Sequence, residues 1–422
     1  MEAQRGKVYF IDVTNRDGVQ APRMQLAKLQ KTMVNYHLGQ LGIYQSEFGF
    51  PALWHEQNYI EANLRLAEQG VMGNLVLSGW CRATVGDVEE ATRRTRVRHF
   101  NLSIPTSEQM IKGKLRGKFT PEDIIHSMVD AVHAASEAGA LTIGVNAEDA
   151  SRSDLDYLIC FAIAAKEAGA DRLRYCDTIG GESPSRIYQR IYQLAQAVGI
   201  PIELHCHNDL GLAVANSLSG AQAALEAGVD AYINASINGL GERAGQADLL
   251  SCILACKFGF GIAERLEIGD SIQLDVARRL ANFVANAFNV PLPINQPGEG
   301  ANVFSHESGI HADGVLKDHR NYELYDYDLL GPPETPILPP GRVITTGEYG
   351  GLSGLHHVYE RLGIYFNSQE EALDTLRLVQ AANAHTHMPL TNDELRFIAN
   401  HPEEMRLLLT LNLEPRAAGS HG

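Results

Sequence analysis

Two histidines stand one residue apart within residues 203–209, directly after the apolar run Ile200-Pro201-Ile202. Alternate residues of a β-strand point to the same face, so His205 and His207 project together while Cys206 points away. Imidazole is the commonest metal ligand among side chains, and the pair could therefore form half of a metal site. A histidine pair on a solvated strand is the simpler interpretation, and a metal site requires further ligands from elsewhere in the chain.

Polar side chains also follow two other predicted strands. Arg16 and Asp17 crowd into one turn after the first strand, and Asn238 follows the eighth, just before Gly239. If strands one, seven and eight are neighbours, Asp17 and Asn238 converge on the histidine pair and add oxygen ligands to its nitrogens. Such a set, with positions left open for water or substrate, suits Mg²⁺, Mn²⁺ or Zn²⁺ in a Lewis-acid role. Taken singly, Asp17 is also typical of a turn carboxylate and Asn238 of a turn residue.

Size and composition place the chain among globular enzymes. It has 422 residues, a formal net charge of -16 and a pI near 5.4, so a polyanionic partner such as nucleic acid is not expected. The six cysteines lie in apolar segments without paired spacing, which predicts buried, reduced thiols. No apolar segment approaches the length that crosses a membrane, and the first residues lack a signal region. We therefore expect a soluble, cytoplasmic protein without a membrane or nucleic-acid partner.

The elements that must position these groups alternate along the chain. Short apolar runs lie at residues 8–13, 43–48, 75–77, 99–104, 141–145, 172–176, 202–207 and 231–237. Amphipathic helical patterns lie between or after them at residues 26–38, 59–67, 124–138, 155–168, 187–197, 213–227 and 249–258. Eight strands that alternate with helices predict a parallel sheet of the α/β class, and eight is the number that closes into a (β/α)8 TIM barrel. A doubly wound open sheet is the alternative, but no glycine-rich dinucleotide turn follows the first strand.

Three regions are expected along the chain. The TIM-barrel catalytic domain takes residues 1–290, and a linker and lid subdomain follows at 291–345. That subdomain begins at a proline-rich linker, residues 291–298, and contains a second proline cluster, residues 332–340. Residues 346–422 are predicted to form a small, mostly helical C-terminal subdomain, an accessory region whose apolar helix faces are suited to packing on another subunit.

Several segments resemble the signature of the metal-dependent acyl-CoA condensing TIM barrels, the isopropylmalate and homocitrate synthase family. They read NRDGVQ at residues 15–20, HCHNDLG at 205–211 and NGLGERAG at 238–245, and HESGIHADG at 306–314 is similar to the family's second-domain motif. The resemblance implies a divalent metal (Mn²⁺ or Mg²⁺, or else Zn²⁺ or Co²⁺) and acetyl-CoA as co-substrate. It also implies a homodimer in which the C-terminal region of one subunit reaches the active site of its partner.

The family's reaction is a Claisen condensation, and the resemblance assigns roles to residues of this chain. The metal holds a 2-oxo acid, an arginine stabilises the alkoxide that develops on its keto oxygen, and a base removes a proton from the methyl of the acyl thioester. Hydrolysis of the resulting thioester makes the reaction irreversible. The implied metal ligands are Asp17, His205, His207 and Asn238, the catalytic residues Arg16, Glu148, His311 and Tyr322, and the substrate contacts Gln20, Arg82, Asn146 and Thr178. Glu148 is alternatively the neighbour of a helix start, and His311 a loop histidine.

The acceptor is expected to be a 2-oxo diacid. Positions at the ends of strands two to five are polar, whereas an isopropyl group requires an apolar slot, and Arg82 is the spare cation there unless it pairs with Glu47 or Asp87. Within the family, residues 14–20, 45–50 and 113–118 most resemble Re-type citrate synthases, which implies oxaloacetate as the acceptor. The alternatives are homocitrate synthase, with 2-oxoglutarate as acceptor, and phosphonomethylmalate or phosphinomethylmalate synthase. Isopropylmalate synthase is less favoured.

Functions of two other classes also fit a barrel with such a site. A lyase related to hydroxymethylglutaryl-CoA lyase would use the same kind of metal centre, but the block at residues 306–314 and the C-terminal region weigh against it. A non-catalytic metal or metabolite sensor would bind the ligand without turning it over. Release of CoA with a 2-oxo acid separates a condensing enzyme from both.

Overall fold

The computed structural model of the chain describes residues 6–332, 345–386 and 389–410. Eight parallel strands run in chain order around a closed barrel, because the first strand pairs with the eighth as well as with the second. The strands are β1 (Val8–Asp12), β2 (Gln45–Gly49), β3 (Val76–Arg82), β4 (His99–Pro105), β5 (Thr142–Glu148), β6 (Arg172–Asp177), β7 (Ile202–Cys206) and β8 (Ala231–Ala235). The predicted (β/α)8 barrel is confirmed, and the doubly wound alternative is wrong.

Helices follow every strand and surround the barrel. They are α1 (Lys28–Leu41), α2 (Gln57–Glu68), α3 (Val85–Arg94), α4 (Glu108–Gly113), α5 (Pro121–Glu137), α6 (Leu155–Ala168), α7 (Pro184–Val198), α8 (Ala213–Glu226), α9 (Leu249–Phe258) and α10 (Ala277–Phe288). Local chemistry sets their ends: Thr120 and Asp123 form a capping box before α5, and Gly169 ends α6 at a φ of 104° that only glycine adopts readily. Among the described residues, no helix combines the length and apolar character needed to span a membrane.

The region after the barrel is helical. Its helices are α11 (Gly309–Lys317), α12 (Leu352–Arg361), α13 (Gln369–Thr386), α14 (Asn392–Asn400) and α15 (Pro402–Leu409). α13 and α15 pack on α1 and α2 of the same chain, where Gln69 donates to Glu404 and Asn58 to the carbonyl of Thr410, both at 2.9 Å. The sequence suggested that the apolar faces of the C-terminal helices are suited to packing on another subunit. In the structure, the apolar faces of α13 and α15 instead cover this chain's own barrel. Apart from Pro332, the second proline cluster lies outside the described residues.

Helix α11 is the exception within this region, because it has no buried residue. Ile310 and Leu316 on the helix and Tyr322, Leu324 and Leu329 after it are all exposed. The block that carries the second-domain motif therefore presents apolar side chains to solvent.

The cysteines follow the prediction with one exception. All six are free thiols, and Cys81, Cys176, Cys206, Cys252 and Cys256 are buried. Cys160 is exposed on α6, so the expectation that all six thiols are buried is wrong there. Its position on the outer side of an amphipathic helix explains the difference, because an apolar segment of sequence still has a solvent face.

The interior of the barrel is polar, whereas branched aliphatic side chains usually fill this kind of barrel. Glu203 on β7 accepts from the Nε atoms of Arg172 and Arg174 on β6, both at 2.7 Å. Glu47 on β2 accepts from Arg174 Nη2 and from Asn101 Nδ2 on β4, both at 2.6 Å. Because successive strand residues alternate in direction, the apolar residues between these face the helices and form the core.

Mutual pairing keeps Glu47 and Arg174 ionised in spite of their burial. Burial by itself raises the pKa of a carboxyl, but the guanidiniums of Arg174 and Arg16 lower the pKa of Glu47 to about 2. Glu203 and Glu47 conversely raise the pKa of Arg174 against the effect of burial. Such charges are tolerated only when every partner is present, because a single unpaired ion in this interior carries the full desolvation penalty.

Removing one of these carboxylates should therefore destabilise the whole barrel. Glu203→Gln leaves Arg172 and Arg174 short of a buried counter-charge, and we expect the free energy of unfolding to fall by about 3–5 kcal/mol. Chemical denaturation followed by circular dichroism measures this change. The control is Glu90→Gln, which breaks the surface ion pairs of Glu90 with Arg93 and Arg94 on α3 and should change the midpoint little. Equal midpoints for both variants would show that the interior network contributes nothing to stability.

Candidate active site

The turn after β1 carries the first group of candidate residues. The amide nitrogens of Arg16, Asp17 and Gly18 all donate to the carbonyl of Val13, which folds the chain back tightly at the end of the strand. Asn15 anchors this turn to α1, where its Nδ2 donates to the carbonyl of Lys31 and to Asn35 Oδ1, each at 2.9 Å. Arg16 and Asp17 are both buried, so a rigid turn presents a carboxylate and a guanidinium inside the barrel mouth.

Asp17 meets the histidine pair, as predicted from the sequence. One ligand atom from each of Asp17, His205 and His207 lies within 4.8 Å of the others, and all three residues are buried. The two imidazole rings stand nearly perpendicular, with centroids 4.9 Å apart. One carboxylate oxygen and two imidazole nitrogens at this separation form a candidate metal site.

Hydrogen bonds on the far side of each imidazole select the tautomer that suits a metal. His207 Nδ1 lies 3.2 Å from the carbonyl of Gly245, which can only accept, so Nδ1 carries the proton. His205 Nδ1 lies 2.7 Å from Asn234 Oδ1, and Asn234 is oriented by the bond from its Nδ2 to Glu203. Both Nε2 lone pairs are therefore left free. This arrangement, in which a partner on Nδ1 orients the ring, is typical of metal-binding histidines.

The electrostatics of the cluster favour neutral imidazoles beside an ionised carboxylate. Burial, together with the neighbouring His207, lowers the pKa of His205 to about 3, and burial also lowers the pKa of His207. Burial alone would raise the pKa of Asp17, but Arg16 and the two imidazoles hold it below its usual value. At neutral pH the cluster thus has the protonation states that metal binding requires.

Asn238, the predicted fourth ligand, is not brought into this cluster by any hydrogen bond among the described residues. It lies in a left-handed conformation (φ 59°), and its Nδ2 donates to the carbonyl of Ala281 on α10. The amide that contacts the cluster belongs to Gln246, whose Nε2 donates to Asp17 Oδ2 at 2.9 Å. The Oε1 of Gln246 and the Oδ1 of Asn238 are both buried without a partner among the described residues, so the bond to Asp17 is what distinguishes Gln246.

Gln246 is the site residue that the sequence interpretation missed. Residue 246 forms a β-bridge with His207 and thus lies beside the histidine pair. Gly241 makes room for it: a Cβ there would stand 2.7 Å from Asp17 Oδ2 and 2.9 Å from Gln246 Nε2. The sequence interpretation chose Asn238, the first amide after the eighth strand. The loop turns back, however, and Gln246 is the amide that contacts Asp17. Its place just beyond the glycine-rich loop was the available signal.

Buried hydrogen bonds inside the barrel connect Asp17 with His205. Arg16 Nη1 donates to Asp17 Oδ1 at 3.0 Å, and Arg16 Nε donates to Glu47 at 2.5 Å. Glu47 is bound to Arg174, which is bound to Glu203, whose partner Asn234 contacts His205. A continuous chain of buried hydrogen bonds therefore runs from the carboxylate to one of the imidazoles.

The predicted substrate contacts differ in their surroundings. Asn146, between Ser103 and Arg174 in the strand register, is buried, and both polar atoms of its amide lack a hydrogen-bond partner in the part of the chain that the structure describes. Arg82 instead binds Asp87 on α3 through two bonds, and its side chain is 71% exposed. The alternative pairing with Asp87 is thus the observed one, and the pairing with Glu47 is wrong. Arg82 is not among the residues that the structure brings to the cluster.

Two further predicted contacts lie on loops at the same end of the barrel. Gln20 is exposed in the short 3-10 helix Gly18–Gln20 that follows Asp17. Thr178 follows β6, and its Oγ1 accepts from the amide of Asp149 at 2.9 Å. Thr178 therefore braces the loop after β5, next to Glu148.

Glu148 is the last residue of β5 and faces the barrel mouth. Asn146 and Gly144 share its side of the strand, and its charge acts on the buried thiol of Cys176 on the next strand. Cys176 is in register with His205, so Glu148 stands two strands away from the histidine pair. Its carboxylate binds Lys114, at 2.6 and 2.8 Å to its two oxygens. Asp149 is the N-cap of the short 3-10 helix Ala150–Arg152, so Glu148 also adjoins a helix start, as the alternative had it, although Asp154 is the cap of α6.

His311 and Tyr322 come together on α11 and the turn after it. Their rings are in edge-to-face contact with centroids 4.4 Å apart, and both residues are exposed. No hydrogen bond in the described part of the chain joins either ring to Asp17, His205 or His207. His311 and Tyr322 thus contact each other, and their catalytic roles remain predictions.

Comparison with known proteins places these residues in a family. The HMGL-like family profile matches residues 7–282, and a profile described as homocitrate synthase post-HMGL domain-like matches residues 299–386. The chain is 52% identical to Citrate (Re)-synthase of Dehalococcoides mccartyi, over 96% of this chain and 98% of that protein. It is 32% identical to Homocitrate synthase 1 of Nostoc sp., over 92% of this chain and 96% of the relative.

A solved structure supports the fold. HMG-CoA lyase from Brucella melitensis superposes with a TM-score of 0.54 at 18% identity, covering 67% of this chain and 99% of the lyase chain. At that identity the likeness concerns the barrel alone, and about a third of this chain has no counterpart in the lyase. The family predicted from the motifs is confirmed by the profile match over residues 7–282 and by relatives matched along nearly the whole chain. The chain belongs to the HMGL-like family.

Proposed function

We propose that the chain is a cytoplasmic acyltransferase that condenses acetyl-CoA with a 2-oxo diacid, oxaloacetate, and hydrolyses the resulting citryl thioester. The observation that carries the proposal is the buried cluster of Asp17, His205 and His207 at the barrel mouth, with Arg16 beside it. The choice of acceptor is supported by the similarity to Citrate (Re)-synthase along nearly the whole chain. The match to a homocitrate synthase profile beyond the barrel supports a condensing enzyme over a lyase.

The residues of the cluster fit a divalent metal ion. A carboxylate oxygen, two Nε2 lone pairs and the unpartnered Oε1 of Gln246 supply mixed oxygen and nitrogen ligands, as Mn²⁺, Mg²⁺, Zn²⁺ or Co²⁺ requires. For Oε1 to face the ion, the amide of Gln246 has to turn over, exchanging its present bond to Asp17. When bound, such an ion acts as a Lewis acid toward the carboxylate and keto oxygen of the acceptor.

Arg16 would stabilise the negative charge that develops on the keto oxygen. Arg16 donates from Nε to Glu47 and from Nη1 to Asp17. The remaining N–H groups of Arg16 have no acceptor among the described residues. The buried carboxylate of Glu47 holds these donors in place before the reaction. Preorganised donors of this kind lower the barrier because they do not have to reorient as charge develops.

The carbon–carbon bond requires a base near the cluster, and Glu148 is the ionisable group best placed for it. Its carboxylate would take a proton from the methyl of the acetyl thioester, and the enolate carbon would attack the keto carbon of the acceptor. Protonation of the new alkoxide gives the hydroxyl of the product, and water then cleaves the thioester and releases CoA as the thiol. The buried, unpartnered amide of Asn146 would orient the acceptor.

A second copy of the chain would complete the site. Exposed apolar side chains of α11 and the following turn accompany His311 and Tyr322, and no hydrogen bond within the described part of the chain joins these two residues to its own cluster. In a homodimer, this block of one subunit would reach over the barrel mouth of its partner and bring both residues to the reacting groups.

A comparison of four 2-oxo acids as acceptors tests the proposed function directly. Purified protein with Mn²⁺ and acetyl-CoA should release thiol with oxaloacetate much faster than with 2-oxoglutarate, phosphonopyruvate or 2-oxoisovalerate, because the buried polar groups of Arg16 and Asn146 suit a polar acceptor and the similarity to Citrate (Re)-synthase favours oxaloacetate. Thiol release is followed with a disulfide reagent, and citrate is identified by mass spectrometry. Preference for 2-oxoglutarate would make the chain a homocitrate synthase, and no release with any acceptor would refute the condensing activity.

The metal content of variants tests the proposed ligands, and in particular whether Gln246 rather than Asn238 binds the ion. His205→Ala and His207→Ala should lose Mn²⁺ on dialysis, and Gln246→Leu should bind it about 10–100-fold more weakly, as measured by plasma mass spectrometry. Asn238→Gly is the matched control, because glycine keeps the left-handed backbone and removes only the amide. Loss of metal in Asn238→Gly with full retention in Gln246→Leu would reverse the assignment.

A further inference from the structure

One contact at the barrel mouth has no role in the function described so far: the ion pair between Lys114 and Glu148. Lys114 belongs to the basic segment KGKLRGK at residues 112–118, which begins in the last turn of α4 and continues beyond it. Its Nζ donates to both carboxylate oxygens of Glu148, at 2.6 and 2.8 Å, across 34 residues of chain. The lysine side chain is 53% exposed and the glutamate 23%, so the pair lies at the rim rather than in the core.

The backbone of Glu148 is already fixed without this lysine. Its carbonyl accepts from the amide of Thr106 at 2.9 Å and from Thr106 Oγ1 at 3.0 Å. The next residue, Asp149, adopts a left-handed conformation (φ 65°) and donates its amide to Thr178. The conformation of the glutamate side chain is what remains to be fixed, and Lys114 is the residue whose hydrogen bonds hold its carboxylate.

Lys114 is well supported for such a role. Ile111 is buried and Leu115 packs on the core, which fastens the segment on both sides of the lysine. Ser107, the N-terminal cap of α4, also bonds to Asp149, so the helix that carries Lys114 is tied to the residue after Glu148. The segment and the end of β5 therefore form one local unit.

The neighbouring Lys112 provides a contrast within the same segment. It pairs with Glu108 one turn earlier on α4, and both side chains are largely exposed. Charge alone would make Lys112 and Lys114 equivalent toward an anionic ligand such as the phosphates of CoA. Geometry distinguishes them, because Lys114 contacts a group at the barrel mouth and Lys112 does not.

We propose that Lys114 is a positioning residue, which holds the carboxylate of Glu148 in the orientation that proton removal from the acyl thioester needs. This inference rests on the proposed function. Because rim ion pairs contribute little to folding, the lysine should matter for turnover and not for stability. Its action should pass entirely through Glu148.

A double-mutant cycle tests this in the purified full-length protein with oxaloacetate and acetyl-CoA. Lys114→Met should lower kcat about 10–100-fold, as expected for a misplaced reactive group, while the KM for acetyl-CoA and the unfolding midpoint stay unchanged. Lys114→Arg should recover most of the loss. In a Glu148→Gln background, Lys114→Met should have no further effect, because the group it positions is already changed. Lys112→Met should leave kcat unaltered.

Other outcomes are equally decisive. A raised KM for acetyl-CoA in Lys114→Met, matched by Lys112→Met, would make the segment a phosphate contact and overturn the proposal, as would additive losses in the cycle. If Glu148→Gln has no measurable turnover, rescue by Lys114→Arg at constant KM supports the proposal, and its absence overturns it. Failure of the unmodified protein to release thiol with any acceptor would refute the proposed function instead.

Discussion

The structure depends on a set of charges that are buried inside the barrel and can exist there only as a complete network. Guanidiniums and carboxylates alternate across the strands, each bonded to at least two others or to an amide. The cations are Arg16, Arg172 and Arg174, and the anions are Asp17, Glu47 and Glu203. The two sets are equal in number, so the interior carries no net charge before an ion binds. Removing any member exposes its partners to a penalty that the apolar shell cannot offset.

This network also determines the chemistry at the barrel mouth. Glu47 fixes the guanidinium of Arg16, whose remaining N–H groups lie beside Asp17. Glu203 orients Asn234, which in turn selects the tautomer of His205. The same groups that stabilise the closed sheet thus orient the residues of the candidate metal site. A barrel filled with aliphatic side chains would be easier to fold but would leave these residues without support.

The sequence was sufficient for the barrel and for the core of the candidate site. Alternating apolar runs and helices are local patterns, and the rule that strand ends meet on one rim brought Asp17 to the histidine pair without any knowledge of the loops. The sequence left open the points that long-range geometry decides. Asn238 and Gln246 occupy one loop, and a left-handed turn determines which amide contacts the cluster. For Arg82 the sequence allowed a spare cation or a partner of Glu47 or Asp87, and the position of α3 decides for Asp87. The packing of α13 and α15 on their own barrel could not be distinguished from packing on a second chain.

The central claim is that groups distant in sequence form a single ion-binding centre, prearranged by the buried network. Anomalous diffraction from crystals grown with Mn²⁺ and oxaloacetate measures this most directly. The account predicts one strong peak within coordination distance of Asp17 and of the Nε2 atoms of His205 and His207, with Nδ1 of His205 still bonded to Asn234. A peak elsewhere, or a bound ion that leaves Asp17 uncoordinated, would contradict it.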